Sequence, residues 1–217
     1  DCLQSSYTFS AAEFMEYDSL KAAQIYLDQS YSFITGPAVL LRYDCDSQQG
    51  IDGVKAFLKT NVDQGSIHFS DYSDDVFWQI RRSISEALAT TYQGKYSEDI
   101  TIPPAYISTY LEYVKTLQTS ATKIICYGHL GDGNLHYNVF GNGSLPDGFS
   151  GRSLELTNKL YIIVHKYNGS FSAEHGIGQL KKKSLQTHKN DVAYSLMKII
   201  KKQFDPEGIM NPGKVLF

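Results

Sequence analysis

Tyr127-Gly128-His129-Leu130-Gly131-Asp132-Gly133-Asn134-Leu135-His136-Tyr137-Asn138 is the stretch from which the fold follows. Ile124 and Ile125 precede it, and Val139 and Phe140 continue it. Asp132-Gly133 can supply the two positive-φ positions of a type I′ turn, so the spacing predicts a β-hairpin with those two residues as its loop. In that register His129 stands opposite His136, and Tyr127 opposite Asn138. Directly opposed residues on one face have Cβ atoms about 4.5–5.5 Å apart, close enough for two imidazoles to share a metal ion. Asn138 lies two residues beyond His136 and so faces the same way.

Two histidines in a hairpin are more often ordinary polar strand residues than ligands. A second segment, Ser172-Ala173-Glu174-His175-Gly176-Ile177-Gly178, adds a carboxylate and an imidazole, followed by glycines that permit close backbone approach. Two histidines and one glutamate form a three-ligand set that leaves a coordination position open. His129, His136 and Glu174 are therefore the candidate metal ligands, and His175 is left over as a base.

With GHLGDGNLH, SAEHGIG and a terminal DPEGIMNPGKVL in that order, the chain resembles the C-terminal half of FAD-linked 2-hydroxy-acid dehydrogenases. These are vanillyl-alcohol-oxidase-type flavoproteins, and they include D-2-hydroxyglutarate and D-lactate dehydrogenases. The resemblance covers most of the chain. It implies an FAD-linked oxidase C-terminal domain over residues 1–217, with a substrate or cap part over about 1–120 and a metal and catalytic part over about 121–217. It also implies that the FAD-binding domain lies outside this sequence, as its own or a separate part, and that the fragment alone is inactive. Asp1 stands where an initiator methionine would, so the chain is read as part of a longer protein.

The coarse order of elements is an alternation of strands and helices. The stretch 5–16, with Tyr7, Phe9, Ala11 and Phe14 in partial alternation, reads as an edge strand, and Leu20, Ala23, Leu27 and Tyr31 as a helix. Ala38–Tyr43 reads as a core strand, and Ile51, Val54, Phe57, Leu58 and Val62 as a second helix. Ile67–Phe69 is a brief strand. Ser73, Asp74 and Asp75 suit the N-terminus of a helix whose apolar stripe is Phe77, Ile80, Ile84 and Leu88. Lys95–Pro104 is a strand leading into a helix over Ile107–Leu117. After the hairpin, Asn142–Ser150 reads as a surface loop. Leu156 to Tyr167 forms a helix stopped at Asn168-Gly169. Ala193, Leu196, Met197, Ile200 and Phe204 make the last amphipathic helix, and Lys181, Lys182 and Lys183 a solvated face. Together these elements predict an α+β fold with an antiparallel sheet and helices packed on one face. The family's fold is ferredoxin-like, which agrees.

Arg81 and Ser85 lie four apart and share a helix face, ordinarily a solvated one. The resemblance assigns them to the substrate carboxylate, and the guanidinium fork suits that task. The family's second carboxylate-binding lysine falls where this chain has Ser97. Lys95, two residues earlier and on the same strand face, is the nearest substitute. The resemblance further places Asn138 against substrate, and Glu174 and the Asn211 region on the cofactor side. A 2-hydroxy acid would chelate a divalent metal through carboxylate and hydroxyl, lowering the hydroxyl pKa. His175 would take the proton, and the hydride would pass to FAD. Zinc fits the ligand set best, although iron and manganese accept it too.

Composition bounds the alternatives. The chain has 217 residues, 42% of them hydrophobic, and a net charge of −3, which gives no general affinity for nucleic acid. An RNA-binding module, conceivable for a ferredoxin-like sheet rich in aromatics, lacks both the motif and the basic surface. No apolar run approaches the ~18 residues of a membrane span, and no signal peptide is read. Cys2, Cys45 and Cys126 are scattered without a CxxC motif and read as buried free thiols of a reducing, cytoplasmic compartment. An electron-transfer partner and a homodimer are further expectations. The competing reading is a non-catalytic metal-binding or regulatory α+β domain that retains only the fold.

Overall fold

The computed structural model describes residues 7–61, 74–92, 95–120, 122–141 and 149–216. The expected Ile67–Phe69 strand and the Ser73 cap lie outside them. The chain divides into two compact units, Asp1–Phe171 and Ser172–Phe217.

The first unit is built on one sheet of order β2-β1-β4-β5-β3, in which every neighbouring pair is antiparallel. Its strands are β1 (Ala11–Met15), β2 (Ala38–Arg42), β3 (Tyr96–Thr101), β4 (Thr122–His129) and β5 (Asn134–Gly141). The helices are α1 (Tyr17–Tyr26), α2 (Gln48–Asn61), α3 (Asp74–Thr91), α4 (Ile107–Thr116) and α5 (Phe149–Lys166), with a 3-10 turn at Pro104–Tyr106 before α4. Phe149 and Ser150, expected in a loop, already belong to α5. The α+β class and the antiparallel sheet match the sequence reading.

Helices cover both faces of the sheet, not one. Ile124, Cys126, Leu135, Tyr137 and Val139 point to one side and pack on Tyr110 and Val114 of α4 and Leu160 and Val164 of α5. Met15, Ile125, Tyr127 and Phe140 point to the other and pack on Leu20 and Ala23 of α1 and Ile84 and Leu88 of α3. The physical reason is visible in β4, whose central residues Ile124 to Tyr127 are all buried. A strand apolar on both faces needs a layer on each.

The expected roles of the first two strands are exchanged. β1 is interior, flanked by β2 and β4, whereas β2 lies at the edge, where Val39 is 49% exposed. Alternation of apolar residues reports which face a side chain takes and is silent about neighbours.

β3 separates two kinds of buried acid by alternation. Glu98 faces α5 and accepts from Tyr161 Oη at 2.8 Å, while Asp99 points to the α1/α3 side. That side is apolar beneath the helices and polar toward the hairpin tip. The polar end carries the site.

The second unit contains α6 (Lys182–His188) and α7 (Asp191–Phe204); α6 was not anticipated. Asn190 caps α7, its Oδ1 accepting from Val192 N at 2.9 Å and Ala193 N at 3.3 Å. Lys182 of the supposed solvated face donates to Gly213 O at 3.1 Å. Val215 N donates to Gly178 O at 2.7 Å, joining the end of this unit to its beginning. Tyr194 is buried on α7, but Leu196, Ile199, Ile200 and Phe204 are exposed. The helix exists as expected, and its apolar stripe faces outward.

Candidate active site

The hairpin forms, in a register two residues away from the expected one. His129 pairs with Asn134 and Tyr127 with His136, so the loop is the four residues Leu130 to Gly133. Only Gly133 has a positive φ, of 75°, and Asp132 instead accepts from Asn134 N at 3.0 Å. The neighbouring strands explain the wider loop. Leu130 N and Gly131 N both donate to Ala12 O of β1, at 2.7 and 3.3 Å, and Ile102 N donates to Gly133 O at 2.9 Å. The tip is thus held from both sides, which a two-residue turn could not provide.

A slip of two residues preserves the face of every side chain. His129 and His136 become diagonal neighbours, with ring centroids 5.6 Å apart and planes at 78°. His136 also lies 5.2 Å from the Tyr127 ring, and its Nδ1 is 3.9 Å from Asp99 Oδ1.

Glu13 of β1 ties this hairpin to α3. Its Oε1 lies 2.7 Å from His129 Nδ1, and its Oε2 accepts from Arg81 Nε at 2.7 Å. Arg81 also lies over the Tyr127 ring, its guanidinium carbon 5.0 Å from the centroid. Glu13 is 5% exposed, so this pair operates largely out of water. Asp99 is fully buried and accepts from Asn134 Nδ2 at 2.6 Å. Asn134 Oδ1 is a buried oxygen with no hydrogen-bond partner among the described residues.

Two cavities of about 490 and 440 Å³ meet at Ser10, Ala11, Glu13 and His129. The first runs along the segment Tyr7 to Ser10 before β1 to Asp132. The second is lined by Arg42, Arg81 and Arg82 beside Trp78, with Arg42 paired to Asp44 at 2.9 Å.

The other expected substrate residues fall into two groups. Lys95 Nζ donates to Ser85 Oγ at 3.3 Å, which brings these two together. Partial burial holds the Lys95 ammonium below its usual pKa. Asn138 is 1% exposed and its amide is engaged inside the sheet. It accepts from Ser97 Oγ at 2.8 Å and donates to the carbonyls of Ile125 and His136, each at 3.3 Å.

Glu174, His175 and Asn211 belong to the second unit. His175 Nε2 lies 3.9 Å from Glu174 Oε1, and both side chains are exposed. Gly176 and Gly178 follow with φ of 70° and 52°, and Ser172 Oγ donates to Gly176 O at 2.7 Å. Asn211 has φ 47° at the start of the turn to Lys214.

Sequence reasoning missed Glu13. The available signal was a lone carboxylate within Ala11-Ala12-Glu13-Phe14-Met15, a strand apolar on both sides of it. The thiols also differ from expectation. Cys126 is buried, which pushes its pKa up, but Cys45 is only half-buried, and Cys2 lies outside the described residues.

His129 and His136 are the hairpin residues that could hold a divalent metal. A ring nitrogen of His129 already bonded to a carboxylate is the usual outer support of a metal-ligating histidine. His136 lies beside it on the same face.

The fold is shared with a solved 4-ethylphenol oxidase from Gulosibacter chungangensis in an isoeugenol complex. That likeness has a TM-score of 0.60 at 13% identity, over 94% of this chain and 47% of that one. The family model for FAD linked oxidases, C-terminal domain, matches residues 1–215, and the chain belongs to this family. Over 217 residues it is 34% identical to the mitochondrial D-2-hydroxyglutarate dehydrogenase of Bos taurus, covering 95% of this chain and 39% of that protein. Over 185 residues it is 30% identical to the D-2-hydroxyglutarate dehydrogenase of Stutzerimonas stutzeri strain A1501, covering 81% and 39%. With the D-lactate dehydrogenase of Anaerostipes hadrus it shares 26% identity over 209 residues, covering 94% and 44%. The chain therefore spans about two fifths of the length of these relatives. Among the described residues no helix is long and apolar enough to cross a membrane.

Proposed function

We propose that this chain is the substrate-binding and catalytic half of an FAD-dependent oxidoreductase that oxidises a D-2-hydroxy acid to the 2-oxo acid. The observation that carries the reading is the polar end of the sheet. There Glu13 joins a guanidinium to one imidazole, with a second imidazole beside the first, in a chain whose relatives include D-2-hydroxyglutarate and D-lactate dehydrogenases.

In this reading Arg81 receives the substrate's carboxylate, since its Nε is taken by Glu13 and its two terminal nitrogens present the end of the fork. Arg82 adds positive charge along the same cavity, where Arg42 is paired with Asp44. Ser85 and Lys95 offer a second polar anchor. His175 accepts the hydroxyl proton as the hydroxyl carbon becomes a carbonyl. FAD, when bound, supplies the acceptor for the hydride from Cα. His129, His136 and Glu174 would hold a divalent metal, zinc first among the candidates, which supplies Lewis acidity toward the substrate oxygen. Asn138 supports the hairpin beneath these residues, and Asn211 stands with Glu174 on the cofactor side.

The flavin-binding partner, whether part of the same chain or separate, accounts for the outward stripe of α7. Leu196, Ile199, Ile200 and Phe204 form an apolar face, and such patches mark interaction surfaces.

Elemental analysis of the purified chain tests the metal assignment. About one equivalent of zinc, iron or manganese supports it, and a metal-free protein after reconstitution contradicts it. Substrate-dependent electron transfer by the flavin-loaded holoenzyme separates the enzyme from a non-catalytic or regulatory domain.

A further inference from the structure

We propose that Glu13 is the positioning residue of this site, holding the metal-ligand candidate His129 and the anion anchor Arg81 in register through its two carboxylate oxygens. The inference rests on the functional reading above and goes beyond it, because it assigns a role to a residue in β1, outside every motif of the sequence.

The geometry carries the argument. Glu13 pairs with His129 across the β1–β4 ladder, so the two backbones are fixed relative to each other. Its side chain is 7% exposed and reaches His129 Nδ1 and Arg81 Nε at 2.7 Å each. An ionised carboxylate only accepts hydrogen bonds. Nδ1 of His129 must therefore carry the hydrogen, and in the neutral ring Nε2 is then the lone-pair nitrogen and the atom able to ligate a cation. The same carboxylate accepts from the side of the Arg81 guanidinium. That orients its two terminal nitrogens as the fork for a carboxylate. One acid thus sets a tautomer, a ring orientation and a guanidinium orientation, and it balances one positive charge in a water-poor place.

The experiment compares wild type, Glu13→Gln and Glu13→Asp in the purified chain. Zinc affinity is measured by competition with a chromophoric chelator, and folding by thermal melting without metal. Loss of an outer support typically weakens metal binding about 10- to 100-fold. Glu13→Gln is expected to show a loss of that size, and Glu13→Asp to restore part of it. A wild type that binds zinc and a folded Glu13→Gln that binds it equally well would overturn the role of Glu13 alone. A wild type that binds no zinc would overturn the metal reading and this inference with it. Should Glu13→Gln fail to fold, the imidazole nitrogen-15 shifts of wild-type His129 decide. A neutral ring protonated at Nδ1 upholds the inference, and one protonated at Nε2 overturns it.

Discussion

His136 occupies a narrow place between the Tyr127 ring and the Asp99 carboxylate, with its side chain 13% exposed. Its removal deletes contacts on the inner surface of the sheet while leaving both cores beneath α3 and α4 intact. His136→Ala is expected to cost about 1–2 kcal/mol of stability and to abolish metal retention, as read by thermal melting and elemental analysis. A variant that keeps its metal would remove His136 from the ligand set. The histidines were legible because glycine, aspartate and asparagine mark a turn at fixed spacing between them. Glu13 was not. Its partners Arg81 and His129 are 68 and 116 residues away in sequence, and one acid in a short apolar strand has no periodicity to reveal it.

The hairpin could be read as an element, but its register could not, because the tip is set by strands distant in sequence. A Cβ at Gly133 would lie 1.9 Å from Ile102 O, and its φ is 75°. Gly133→Ala must therefore break the tie to the segment after β3 as well as adopt a strained backbone, which alone costs about 1–3 kcal/mol. Chemical denaturation is expected to show a loss of at least that size, and an unchanged midpoint would refute the pinned tip. The opposite is expected of α7, where Ile200 is 57% exposed. Ile200→Glu should alter the stability of the isolated chain by no more than about 0.5 kcal/mol while weakening its association with the flavin-binding part. The amphipathic period of α7 was legible. What it packs against was not, since periodicity names an apolar face without naming its occupant.

At the scale of the molecule, the chain forms two compact units with different chemistry. The first buries a two-sided sheet. The second has few buried residues and depends on polar ties around Asp205. Hydrogen bonding from Lys201 is the largest influence on that carboxyl, and with the N–H groups of Met210 and Ile209 it outweighs burial and holds the pKa below 3.8. A folded value below the unfolded one stabilises fully above about 3.8, and the contribution disappears as pH falls through the folded value. The amide resonances of Ile209 and Met210 are expected to report local opening in that acid range. Asp205→Asn should remove the transition, and its persistence there would contradict the account. The family's architecture was legible from three motifs. The covering of the sheet on both faces was not, because it requires knowing that β4 lies between β1 and β5.

The central claim is that this polar sheet end handles a D-2-hydroxy acid. Its most direct test is anaerobic mixing of the flavin-loaded holoenzyme with D-2-hydroxyglutarate and D-lactate while the visible absorption of the flavin is followed. The account predicts that at least one D acid bleaches the flavin, that the L enantiomer does not, and that Arg81→Ala raises the acid concentration required at least tenfold. A flavin that dithionite reduces but no D-2-hydroxy acid bleaches would contradict it.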